Sequence, residues 1–441
     1  MTLPQDFINK YIELLQEEAP SFLDSFSEAP VSGFRSNPLK ENQIAFDNPI
    51  PKTEWGYYGK ISGKSVEHVT GLVYSQEPAA QMVGQVAKPK PGMKVLDLAA
   101  APGGKTTHLL SYLNNTGLLI SNEINTKRSK ILVENVERFG ARNVLVTNES
   151  AERLAKIFPS YFDLIVFDGP CSGEGMFRKD PEAVKYWHKD YPKELSNLQK
   201  SILSDALAML APGGELVYST CTWSPEENEE VVEWLLEEFS QLELIPIRAI
   251  NGMSDSDLIP GTVRMYPHSF KGEGQFIAKF KDVRPREEET KLKQKRKARQ
   301  VSLTKEQMNL WESFSQEHLK ITLEGQYQVF GEQLYIIPAH LPDLSQLKIA
   351  RNGLHLGTFK KKRFEPSFAL GIALKPSEVV QKIEIDIEQF KEYVAGSQVN
   401  LHETYSNGWY QVVINGNGLG FAKIVGNQLK NFYPKGLRFK Q

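Results

Sequence analysis

Two sulfur atoms set the chemical possibilities of this sequence. Cys171 and Cys221 are the only cysteines in 441 residues, and each closes an apolar run, "FDLIVFDGPC" and "GELVYSTC". Cys171 sits in a turn with Gly169, Pro170, Gly173 and Gly175. Small residues there let backbone and thiol approach a substrate, whereas a mid-strand thiol would act as a small hydrophobe. Two cysteines so far apart make no disulfide framework. No CxxC or HxxxH pairing accompanies them and the eight histidines lack ligand spacing, so no metal is expected. A nucleophilic thiolate with a nearby carboxylate, Asp168, is the constellation of covalent catalysis. A free thiol, with a pKa of about 8.5, is only a few per cent ionised at neutral pH, so the site should lower that value. Lys105 and Lys179 are the candidate cations.

The elements that would hold these groups lie in residues 90–281. Strand-length runs "KVLDLAA", "GLLISNEI", "NVLVTN", "FDLIVFDGP" and "GELVYSTC" alternate with helical patterns "GGKTTHLLSYL", "TKRSKILVENVERFG", "ELSNLQKSILSDALAML" and "PEENEEVVEWLLEEF". In the third helix Leu195, Leu198, Ile202, Leu203, Ala206, Leu207 and Leu210 form an apolar stripe. The alternation predicts an α/β fold with a mostly parallel, doubly wound sheet, whose ligands bind at the carboxyl ends of the strands. The first strand runs into "APGGKTTHLL", a tight turn opening a helix, which suits an adenosyl group or an anion. A P-loop is excluded by Ala99 where glycine is required, and G-x-G-x-x-G is absent. Glu123 ends the second strand, placed as a ribose acceptor. Asp97, the turn and Glu123, in that order, favour S-adenosylmethionine.

Charge divides the chain. Residues 1–280 hold 27 Lys/Arg against 37 Asp/Glu, and residues 281–441 hold 25 against 17. A basic C-terminal module on an acidic body suggests a polyanionic partner. The break is "KDVRPREEETKLKQKRKARQ", a linker over 282–300. Beyond it lie a mixed segment, 301–350, and a β-rich module, 351–441, with turn signals "RNGLHLG", "SNGWY" and "INGNGLG". The first 75 residues form an N-terminal extension, and 76–281 the catalytic domain. No run is long enough to span a bilayer and the start lacks a signal-peptide core, so a cytosolic, reducing compartment is expected. A monomer is expected.

A resemblance now adds to these readings. "DLAAAPGGKT", "DGPCSGEGMFRKDP" and "YSTCTWSPEENEEVV" resemble motifs I, IV and VI of the NOL1/NOP2/Sun family of RNA (cytosine-5)-methyltransferases, a class I (Rossmann-like) methyltransferase family. "GLVYSQEPAA" and "RMYPHSFKGEGQFIAKF" resemble its motifs X and VIII. "RNGLHLGTFKKKRFEPSFALGIAL" and "LGFAKIVGNQLKNFYPKGLR" are similar to the PUA-like end of a bacterial type that methylates 16S ribosomal RNA in the decoding region. The resemblance implies a cofactor loop of Ala99, Ala100, Ala101, Pro102, Gly103, Gly104 and Lys105, with Glu123 on the ribose. Asp168 would stand at the cofactor–base junction, Cys221 would be the nucleophile, and Cys171 would release product. The family's "TNxDA" reads "TNESA" here, so Ser150, or Glu149, would serve the adenine.

Cytosine carbon 5 needs activation by thiolate addition at carbon 6. Asp168 would hold the base edge, with Lys105 as partner. The target base must leave its stack. Arg178, Lys179, Lys185 and Lys189, interleaved with Phe177, Tyr186 and Trp187, suit RNA contact, as does the patch Lys360, Lys361, Lys362 and Arg363. Gly63, Lys64 and His68 are further RNA-facing candidates. The expected partner is RNA, 16S rRNA or the small ribosomal subunit. The alternatives are a tRNA cytosine-5 methyltransferase and a non-catalytic RNA-binding ribosome-assembly factor.

Overall fold

Phe7 and Tyr11, one helical turn apart, and Phe22 and Phe26 supply the apolar face of the N-terminal helices α1 (Gln5–Leu15) and α2 (Ala19–Asp24). That face buries against Phe177, Trp187, Trp223 and Tyr266, aromatic residues of the catalytic domain. A small antiparallel sheet follows, β1 (Gly33–Ser36), β2 (Gly56–Tyr58) and β3 (Val73–Ser75), ordered β2-β1-β3, with the short helix α3 (Val66–Val69) before β3. The computed structural model describes residues 2–286, 303–339 and 341–440.

The catalytic domain begins with α4 (Pro78–Ala87), whose first N–H groups are capped by Glu77. Strands and helices then alternate as expected: β4 (Lys94–Asp97), α5 (Gly104–Leu113), β5 (Leu118–Asn122), α6 (Thr126–Phe139), β6 (Val144–Thr147), α7 (Ala151–Ile157), β7 (Phe162–Asp168), α8 (Tyr191–Met209), β8 (Leu210–Thr220) and α9 (Glu229–Glu238). Antiparallel strands β9 (Leu242–Leu244), β10 (Ser254–Asp255), β11 (Val263–Met265) and β12 (Gln275–Asp282) complete the edge. The five parallel strands run in the order β8-β7-β4-β5-β6. The order reverses between β4 and β7, where ligands gather in open α/β sheets. α6 stops at Gly140, whose φ of +81° is the left-handed conformation glycine supplies.

The stripe assigned to α8 needs correction. Leu198 is exposed, while Ser196 and Gln199 are buried. The buried face is rotated because Gln199 reaches the segments that follow β7 and β8, donating to the Pro170 carbonyl (2.9 Å) and to Glu227 (3.0 Å).

After the linker, of which 287–300 lies outside the described residues, come α10 (Lys305–His318), β13 (Gln326–Phe330), β14 (Gln333–Ile337), β15 (Ile349–Arg351), β16 (Leu354–Lys360), β17 (Arg363–Pro366) and α11 (Phe368–Ala373). The boundary expected at 350/351 is wrong, because one sheet, β13-β14-β16-β17, crosses it. β15 leaves that sheet and pairs with β6 of the catalytic domain. Arg351, buried there, donates to the Val144 carbonyl (3.0 Å). The last unit comprises β18 (Lys382–Glu384), α12 (Ile387–Ala395), β19 (Val399–Asn400), β20 (Gly408–Ile414), β21 (Asn417–Val425) and β22 (Gln428–Lys430), in sheet order β18-β20-β21-β22-β19. Its β20–β21 hairpin turns at Asn415-Gly416, both at positive φ, as "INGNG" predicted.

Candidate active site

The "AAAPGGK" loop joins β4 to α5 at the carboxyl edge of the sheet. Its carbonyls are tied back from outside. Arg128 donates to the Ala101 carbonyl (2.6 Å), Asn135 to that of Pro102 (2.7 Å) and Arg35 to that of Gly104 (2.8 Å). Gly103 opens α5 at φ +118°. Arg35 comes from β1, is buried, and also donates to Gln76 (2.6 Å) and Thr107 (2.7 Å). Sequence inspection missed Arg35, Gln76, Arg128 and Asn135, because nothing local marks a residue that acts only by packing beside a distant loop.

Asp97 is buried at the end of β4. One oxygen accepts from Thr106 (2.6 Å), and Oδ1 has no partner among the described residues. Burial pushes its carboxyl up to about 7, against the opposing pull of Thr106 and Lys105. Glu123 ends the next strand, buried, with one oxygen accepting from the Asn125 N–H (2.8 Å). These residues fit an adenosyl ligand bearing an amine. The loop opens a helix whose first N–H groups are free of intrahelical partners, and an orphaned buried acceptor and a strand-end carboxylate stand beside it.

The two thiols meet. Cys171 and Cys221 lie Sγ to Sγ at 3.2 Å, both partly buried and unoxidised. Their turns touch directly. The Gly175 N–H donates to the Cys221 carbonyl (2.9 Å), and a Cβ at Gly175 would stand 2.8 Å from that oxygen and 2.6 Å from the Gly274 Cα. Gly175 is the glycine that this close approach requires. Alongside, Asp168 accepts from Lys105 Nζ (2.6 Å), Ser219 Oγ (2.6 Å) and Gln275 Nε2 (2.9 Å). Burial opposes the charge on Lys105, but Asp168, and more weakly Cys221, hold its pKa above the usual value. The thiol of Cys171 is pushed well up, first by its contact with Cys221, then by burial and by Glu227 and Asp168. The lowering expected of the site does not apply to Cys171.

Other expected residues scatter. Arg178 does not face RNA. Its side chain is 2% exposed, paired with Glu273 (2.8 Å) and donating to the Gly272 carbonyl (2.7 Å). Phe177 and Trp187 are likewise core, packed on α1. Lys179 and Tyr186 are exposed. Lys360, Lys361, Lys362 and Arg363 are exposed on the β16–β17 hairpin, where Lys360 meets Glu332 (3.4 Å) and Arg363 meets Glu365 (2.8 Å). Lys64 donates to the Lys440 carbonyl (2.9 Å), joining N- and C-terminal units. The Ser150 hydroxyl caps α7. Glu149 accepts from the Lys348 N–H (2.7 Å), so its carboxylate holds the C-terminal unit.

A doubly wound sheet with a helix-opening loop, strand-end acids and a thiol pair over the same carboxyl edge defines a class I, Rossmann-like methyltransferase that uses S-adenosylmethionine. Comparison with known proteins narrows the class. Residues 84–281 match the family model of the 16S rRNA methyltransferases RsmB/F. Residues 3–78 match the N-terminal domain of RsmF, 313–374 its first C-terminal domain and 380–439 its PUA domain. The ribosomal RNA small subunit methyltransferase F of Shewanella oneidensis is 34% identical over 460 residues, 97% of this chain and 96% of the relative. That of Shewanella loihica is 32% identical, over 88% and 83%. A methyltransferase homolog protein from Pyrococcus horikoshii superposes with TM-score 0.55 at 30% identity, covering 62% of this chain and 93% of the other. NSun6 from the same organism, solved with SFG, shares the fold (TM-score 0.55, 21% identity, 64% and 99%). The chain belongs to the RsmB/F methyltransferase family and carries the N-terminal, C-terminal and PUA domains of its RsmF type.

Proposed function

We propose that this protein makes 5-methylcytosine in 16S ribosomal RNA, in the decoding region of the small subunit, through a covalent cysteine–RNA intermediate. The observation that carries the chemistry is the 3.2 Å approach of Cys171 to Cys221 beside the Asp168–Lys105 pair. Cys221, as thiolate, adds to carbon 6 of the cytosine and makes carbon 5 nucleophilic. Asp168 accepts from the exocyclic amine at the base edge, its own orientation fixed by Ser219, Gln275 and Lys105, and Lys105 as its partner donates at ring nitrogen 3 to offset the charge that grows there. S-adenosylmethionine, when bound, supplies an electrophilic methyl group to carbon 5. Cys171, or a water it orders, carries away the carbon 5 proton, and the Cys221–carbon 6 bond then breaks to restore the ring and free the thiol. Ala99 to Lys105 and Glu123 hold the methyl donor, with Ser150 beside its adenine.

RNA as partner and the small-subunit rRNA as substrate rest on what the relatives are named for, on the PUA domain, and on the exposed basic hairpin of the first C-terminal domain before it. Bisulfite sequencing of total RNA with and without the gene tests the proposal. A cytosine in 16S rRNA that loses protection supports it; loss of protection in tRNA alone moves the substrate to tRNA, and no change removes the activity.

A further inference from the structure

Each cysteine is followed by a hydroxyl residue, and the two hydroxyls touch. Ser172 Oγ lies 2.9 Å from Thr222 Oγ1, both buried. Each reaches a buried carboxyl group. Ser172 Oγ stands 2.5 Å from Glu227 Oε2, and Thr222 Oγ1 stands 2.7 Å from Glu174 Oε2. Glu174 Oε2 also accepts from the Tyr11 hydroxyl of α1. The result is an unbroken chain, Glu227–Ser172–Thr222–Glu174–Tyr11, with all five residues at most 5% exposed.

Counting hydrogens decides its protonation. Four oxygen–oxygen contacts need four hydrogens, and the three hydroxyls supply one each. With both carboxyls ionised, one close contact would hold two lone pairs facing each other in a buried site. One carboxyl proton completes the chain. Glu174 is the worse place for it, since a proton on its Oε2 would leave the acid's hydroxyl oxygen, a weak acceptor, to receive the short Tyr11 bond, while its Oε1 accepts from Trp187 Nε1 (2.9 Å). Glu227 is the better place. Its Oε1 accepts two N–H groups, from Ser172 (2.9 Å) and Gln199 (3.0 Å), as a carbonyl oxygen would, and among the described residues its Oε2 meets only Ser172 Oγ.

We propose that Glu227 is a positioning residue that holds a proton on Oε2 and donates it to Ser172, so that the Ser172–Thr222 bridge fixes the turns bearing Cys171 and Cys221. The electrostatic setting agrees. Burial pushes the Glu227 carboxyl up to about 8, the charge of Glu174 adds to this, and the bonds from Ser172 and Gln199 oppose it. The other titratable groups facing it are Cys171 and Tyr218, whose hydroxyl reaches the Glu227 carbonyl (2.6 Å). The positioning part rests on the reading of the two thiols as the reacting groups; the proton assignment does not.

The full-length protein tests both parts. In infrared spectra at neutral pH, a protonated-carboxyl C=O band should vanish in Glu227→Gln and persist in Glu174→Gln. Should Glu174→Gln fail to fold, the wild type minus Glu227→Gln difference alone decides. Glu227→Ala should slow turnover by about 100-fold by loosening the thiol turns. Glu227→Gln should recover most of that loss, because its amide can donate to Ser172. Glu174→Gln should not be rescued, because it turns an amide donor toward groups that donate already. No band difference for Glu227→Gln, or loss of the band in Glu174→Gln, overturns the proton assignment. Equal turnover loss in Glu227→Gln and Glu227→Ala overturns the positioning role. If the band behaves as expected while Cys221→Ala still turns over, the reading of the thiols fails and the proton assignment stands.

Discussion

Cys171 and Cys221, fifty residues apart in sequence, lie with their sulfurs 3.2 Å from one another, each at the end of a neighbouring parallel strand. The contact is a thiol pair and not a disulfide. Under the proposed mechanism the two groups act on one base in succession.

Separate loss of the two thiols should give opposite phenotypes. Cys221→Ala should abolish both methyl transfer and any RNA-linked species. Cys171→Ala should allow the adduct to form and stall its release, leaving an RNA-linked band on denaturing gels with substrate RNA and methyl donor present. Absence of that band would remove the release role of Cys171.

Asp168→Asn keeps the shape of the side chain and takes away the charge that holds Lys105 at 2.6 Å. Charge-assisted contacts of this kind are about twice as strong as neutral ones. We expect turnover to fall by about 10²-fold or more, as for loss of one preorganised electrostatic contact. Single-turnover kinetics would check this, and a loss confined to substrate binding would speak against a role at the reacting base.

Gly175→Ala places a Cβ 2.6 Å from the Gly274 Cα and 2.8 Å from the Cys221 carbonyl. Both neighbours are backbone, so the turns must separate. Turnover should drop and thermal stability fall by about 1–3 kcal/mol, the usual cost of overpacking. Wild-type kinetics in this variant would mean the turns are not closely registered.

The raised pKa of Glu227 makes a prediction about stability against pH. Its folded value of about 8 exceeds the ordinary 4.5 of a glutamate carboxyl, so the folded state binds the extra proton. That contribution is complete below about 4.5 and is lost as pH rises through about 8. Between those limits the melting temperature of the wild type should decline with pH more steeply than that of Glu227→Gln. Asp97, raised to about 7, has the same sign and remains in both proteins, so only the difference between them is diagnostic. Parallel slopes would place the Glu227 proton elsewhere.

Serine at 360–363 in place of the three lysines and the arginine should weaken RNA binding and flatten its salt dependence, leaving affinity for S-adenosylmethionine intact. Each lost phosphate contact should lower the slope by about one. This is a cleaner test than deleting the C-terminal half, since β15 pairs with β6 and Lys348 is held by Glu149. An unchanged salt slope would exclude the hairpin from the RNA interface.

Local pattern was enough for the strands β4 to β8, the turn from β4 into α5, and the placement of both cysteines at strand ends. Those features follow from periodicity and from turn residues, which act over a few positions. Three things came only with the tertiary structure. Arg178 reads as an RNA-facing cation, yet it is a buried partner of Glu273, because sequence shows a side chain's charge but not its partner. The apolar stripe of α8 is rotated, because Gln199 is drawn inward by hydrogen bonds to Pro170 and Glu227. The limits of the C-terminal units were hidden because β15 joins the catalytic sheet while its neighbours in sequence build another. The sequence by itself determined that the chain has two thiols and that they stand at strand ends. Only packing decided that the sulfurs touch, that Arg35 from another sheet braces the cofactor loop, and that one buried glutamate keeps its proton, because burial and long-range hydrogen bonding depend on residues far apart along the chain.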